Sequence, residues 1–105
     1  MDMTDNFLDQ LAVRIRAAVP PRSIPNDDVR ALFRMYAVLL LAKGESVSAA
    51  DVHNAWVAWM LDVDPSHESL IEFQNLSPDV AREDEAYVQA IQGVARELRS
   101  TGSHS

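Results

Sequence analysis

Apolar residues recur three and four positions apart in four stretches of this chain, and nowhere do they alternate as a half-buried strand requires. The first stretch, residues 5–18, places Phe7, Leu8, Leu11, Ile15 and Ala18 on one helical face, with Thr4 available as its cap. Pro20, Pro21 and Pro25 then forbid continuation, because proline lacks the amide donor and holds its predecessor extended. The second stretch is expected to begin at Asn26, with Asp27 and Asp28 against the positive helix end, and to stop at Lys43 and Gly44. Its apolar residues surround most of the cylinder beyond Met35 instead of forming a stripe, which predicts a central helix. The surplus of Met35, Val38, Leu39 and Leu41 fits either the bundle core or an interface with a second chain.

Local grammar is clearest in the third helix. Ser48 caps it, Asp51 completes a short capping box, and Val47 staples against Val52. At 100° per residue Val52, Trp56, Trp59 and Met60 share one arc, with His53 at its edge. Pro65 closes the region, and residues 66–76 read as an ordered loop pinned by Leu70, Ile71, Phe73 and Leu76. The last helix starts at Ser77 with Pro78 in its first turn and buries Val80, Tyr87, Val88, Ile91, Val94, Ala95 and Leu98. Periodicity is lost after Arg99, so residues 100–105 read as a disordered tail. The pattern predicts an all-α fold: a single small bundle of four main helices over residues 1–99, with an ordered loop before the last helix.

Composition narrows the function classes. A chain of 105 residues holds one core, and a homodimer is one way for it to hide more apolar surface. Without cysteine, disulfides and thiolate zinc sites are excluded, and the acidic start lacks the order of a secretion signal, so a cytoplasmic location is expected. The longest apolar run, residues 36–42, cannot span a bilayer. Sixteen acidic against nine basic residues give a formal charge of −7 with no basic stripe, which argues against nucleic acid as a partner.

Asp84 is the odd residue of the last helix, a carboxylate on the buried stripe that must be paired, capped or beside a cavity. His53 can meet it if the third and fourth helices pack face to face, as an acid and base pair or as a plain hydrogen bond between helices. No Gly-x-Ser-x-Gly elbow, no cysteine and no phosphate-cradling glycine loop accompany them, so an enzyme is not expected. Trp56 and Trp59 present flat apolar faces that suit a stacked ligand or the core, with Trp56 expected deeper than Trp59. His53, His67 and His104 have no chelating spacing, so neither a metal nor a cofactor is expected.

The segment Val52-His53-x-x-Trp56, followed by His67-x-x-Leu70-Ile71-x-Phe73-x-x-Leu76 and then Pro78, Asp84 and Val88, resembles the RyR domain, the module named for ryanodine receptors. That resemblance covers residues 51–98, and the whole chain is also similar to short actinobacterial and actinophage proteins. It implies a helical, non-enzymatic module that senses a small ligand such as a nucleotide, in a pocket between the third and fourth helices. Matched positions are His53, Trp56, His67, Phe73 and Asp84, with Trp59 added from the indole face. The alternative is a protein-binding adaptor or phage accessory protein that dimerises through Met35, Val38, Leu39 and Leu41.

Overall fold

The computed structural model describes residues 6–26 and 28–102. The helices are α1 (Phe7–Ala18), α2 (Arg30–Lys43), α3 (Ala49–Val63), α4 (Pro78–Glu83) and α5 (Glu85–Gly102); short 3₁₀ turns lie in the connections after α1, α2 and α3, and no strand occurs among the described residues. The fold is all-α with four main helices, the last of them broken at Asp84 into α4 and α5. α2 packs against α1, α3 and α5, the central position that its all-round apolar surface requires. Leu32, Phe33, Tyr36 and Ala37 are buried along it. Ring centroids of Phe33, Tyr36 and Tyr87 lie 5.3 to 6.0 Å apart, which locks α2 to α5.

Helix ends show which local signals act. The capping box of α3 forms as expected: Ser48 Oγ accepts from the Asp51 amide, and the Asp51 carboxylate accepts from the Ser48 amide at 3.0 Å. Gly44 closes α2 with φ 55° and ψ −128°, a backbone state that only glycine adopts without strain. Asn6 caps α1 by accepting from the Asp9 amide at 2.9 Å, while Thr4, the expected cap, lies outside the described residues.

Two boundaries differ from expectation. Asn26 does not cap α2, and Asp27 is outside the described residues; the first helical bond runs from the Phe33 amide to the Val29 carbonyl, because Val29 is itself buried in the core. Asp28 instead accepts from the Arg30 amide and side chain. At the other end, the Asp84 amide bonds back three residues to the Ala81 carbonyl, which tightens the turn and separates α4 from α5 without a glycine or proline. α5 runs on to Gly102, beyond the Arg99 at which periodicity is lost, and residues 103–105 are outside the described residues.

Candidate functional site

A cavity of about 490 Å³ opens where α3, the loop after it and α4 meet. From α3 it takes His53, Trp56, Met60 and Val63; from the loop, Asp64, His67 and Ser69. Val80, Glu83 and Asp84 close the α4 side, and Pro25 of the first connector completes the wall. This volume lies within the range typical of small-molecule sites.

His53 is the buried polar group of the α3 face, with 3% of its surface exposed. Its Nε2 lies 2.6 Å from the Ile71 carbonyl, and since a carbonyl only accepts, Nε2 carries the proton. In the neutral ring Nδ1 is therefore an open acceptor, and it points toward Asp84 Oδ2 at 4.0 Å, beyond hydrogen-bond reach. The same bond ties the loop to α3. The His53 ring stacks on Trp56 at a 20° interplanar angle and 5.7 Å between centroids.

Trp56 meets His67 edge-on, with centroids 5.1 Å apart. His67 accepts from the Ser69 amide through Nδ1 at 3.0 Å, which leaves the proton of its neutral ring on Nε2. Ahead of it, Asp64 folds the chain by accepting from both the amide and the hydroxyl of Ser66. Those Ser66 bonds hold the Asp64 carboxyl below the usual carboxylate range.

Asp84 has the opposite electrostatics. Its side chain retains only 14% exposure and accepts no hydrogen bond among the described residues. Burial pushes its carboxyl up to about 6; His53 opposes that rise, while Glu83 and Glu85 add to it. Tyr87, one turn on, donates its hydroxyl to the Ser23 carbonyl and so fixes the α5 end of the site to the first connector. Its phenol is raised by burial and by the neighbouring carboxylates.

Of the residues singled out in the sequence, His53, Trp56, His67 and Asp84 come together around the cavity. Trp59 does not: it is 4% exposed and belongs to the core, while Trp56 is the half-buried indole, the reverse of the expected order. Phe73 stands behind the site, with its ring 6.2 Å from that of His53. Sequence reasoning missed Asp64 and Glu83. The first was marked by the turn signature Asp64-Pro65-Ser66 before His67; the second sits in a run of exposed charge with nothing to distinguish it.

Met35 and Leu39 are partly buried against the core, while Val38 and Leu41 are each 53% exposed. Among the described residues no group of three or more His, Asp or Glu side chains is arranged to hold a metal ion, and no helix is long and apolar enough to cross a membrane.

No curated protein and no solved structure matches the chain. The resemblance to the RyR domain is overturned, because no RyR domain is found and the family match runs through α1 and α2, which that resemblance left out, and no match bears out the likeness drawn to actinobacterial and actinophage proteins. Structure supplies the physical reason: Val52 and Val88 are core positions that any pair of packed amphipathic helices fills with apolar residues, and residues 51–98 share their core with α2 instead of standing as a module of their own. Residues 6–96 match the family model described as Domain of unknown function (DUF7701), and the chain belongs to that family.

Proposed function

We propose that this chain is a non-enzymatic binding module that takes a small ligand into the cavity bounded by α3, the following loop and α4. The observation that carries the reading is the convergence of Trp56, His53, His67 and Asp84 on one cavity of about 490 Å³. The cytoplasmic location belongs to the same reading and is supported by the lack of cysteine.

The test is a screen of small metabolites, nucleotides included, by amide and indole chemical shifts of the full chain. Perturbations clustering on His53, Trp56, His67 and Asp84, and lost in a folded Trp56→Ala variant, are the expected result. Failure of every compound to move those signals in the folded protein overturns it.

A second reading, an adaptor or accessory protein that dimerises, is favoured by the half exposure of Leu41 and of Val38 on α2, the latter lining with Met35, Leu39 and Ala55 a groove between α2 and α3 that Asp51 and Asn54 complete. It predicts a concentration-dependent dimer in sedimentation, abolished by Leu41→Glu without unfolding.

A further inference from the structure

The cavity has a definite electrical character. Asp64, Glu83 and Asp84 contribute carboxylates to its wall, and among the described residues no lysine or arginine does. A phosphate entering such a site meets repulsion from every ionised group around it. Two acceptors on its wall stand side by side: Nδ1 of His53, whose Nε2 proton is taken by the Ile71 carbonyl, and the largely buried Asp84 carboxylate, which has no donor among the described residues. A carboxylate largely withdrawn from water gains from any donor that reaches it.

We infer that the ligand is a small organic cation, a protonated alkylamine whose ammonium group bridges Asp84 and Nδ1 of His53 while its alkyl stem lies along Trp56, Met60 and Val80. This inference rests on the cavity being a binding site. Geometry permits the bridge, since two acceptors 4.0 Å apart both lie about 2.8 Å from one nitrogen at an angle of roughly 90°, close to the spread of ammonium N–H bonds. Glu83 and Asp64 add longer-range attraction at the wall. The raised carboxyl of Asp84 agrees with a site built without its counter-charge, and a bound ammonium lowers it again. A bare metal ion fits less well, because no cluster of three metal-binding side chains exists among the described residues.

The experiment is a titration of the full chain at pH 7.5 with 1,4-diaminobutane, with its neutral isostere 1,4-butanediol, and with adenosine monophosphate, followed by amide and indole chemical shifts. The diamine is expected to perturb His53, Trp56 and Asp84, with the diol weaker by on the order of tenfold or more. Asp84→Asn is expected to weaken the diamine by a similar factor and to leave the diol unchanged. Should that variant not fold, Glu83→Gln at the exposed edge of the wall takes its place, with a loss of about twofold to threefold. Equal binding of diamine and diol, or binding of the nucleotide alone, overturns the cation inference and leaves the binding module standing. Diamine shifts spread over the acidic surface and unaffected by either variant overturn the inference as well, as non-specific attraction. If none of the three compounds moves the cavity signals, the cation inference falls and the wider screen alone decides the binding module.

Discussion

Nδ1 of His53 stands 4.0 Å from Oδ2 of Asp84 in the wall of a cavity, close enough for charge to be felt and too far for a hydrogen bond. Asp84 therefore keeps a burial penalty that its neighbour only partly offsets, and its carboxyl rises from 3.8 to about 6. The folded chain holds that proton more tightly than the unfolded chain does. Stability from this group consequently falls as pH rises from about 4 to about 6 and is level above that window. After discounting for solvent screening, the penalty of the ionised form is about 1–2 kcal/mol. Asp84→Asn removes the titration, so its stability relative to the parent protein should improve by that amount between pH 4 and pH 7. Urea unfolding at the two pH values checks it, and a difference that does not change with pH would falsify the assignment.

His53 also holds the loop through the bond from its Nε2 to the Ile71 carbonyl. His53→Ala removes this tie and leaves a void beside Trp56, at a cost of about 1–3 kcal/mol. Loosening should be local before it is global. The Leu70 amide, bonded to the His67 carbonyl at 3.2 Å, is expected to exchange faster by a larger factor than amides of α2. Uniform acceleration along the whole chain would mean that His53 acts only as core.

How far the sequence discloses this arrangement depends on the range of the signal. Ser48 with Asp51, and Gly44 after Lys43, act within one helical turn, so the ends they set are legible from spacing. The α2 start is not, because it follows from Val29 sinking into a core made of distant residues, with Asp28 and not Asn26 accepting from the first helical amide, that of Arg30. The two tryptophans show the same limit within one helix face: Trp59 and Trp56 differ only by which neighbour covers them, Trp59 lying in the core and Trp56 facing the loop that carries His67. His53 and Asp84 were legible as a pair because a polar group on each of two apolar stripes leaves few other ways to be buried.

The capping box gives a test of local reading that is independent of the cavity. Ser48→Ala removes the acceptor for the Asp51 amide and should cost about 1 kcal/mol. Asp51 would then still accept from the Ser48 position amide and still pair with Lys43 at 2.9 Å, so α3 should keep its start. A loss well above about 2 kcal/mol in thermal or urea unfolding would show that the cap supports more than this helix end.

Gly44 and Gly93 separate backbone conformation from space, since a Cβ at either position meets no atom within 4 Å. At Gly44 the positive φ of 55° with ψ −128° lies where side chains are strained, so Gly44→Ala should destabilise by about 1–3 kcal/mol although nothing clashes. Gly93 lies inside α5 in ordinary helical geometry, and Gly93→Ala should stabilise by about 0.5–1 kcal/mol by restricting the unfolded chain. For a domain of this length each kilocalorie moves the thermal midpoint by roughly 4–8 °C, so the two variants should fall on opposite sides of the parent protein. Destabilisation by Gly93→Ala would mean that α5 meets a surface there that this single chain does not contain, such as a second copy or a bound partner. That outcome would redirect attention from the cavity to the α5 face.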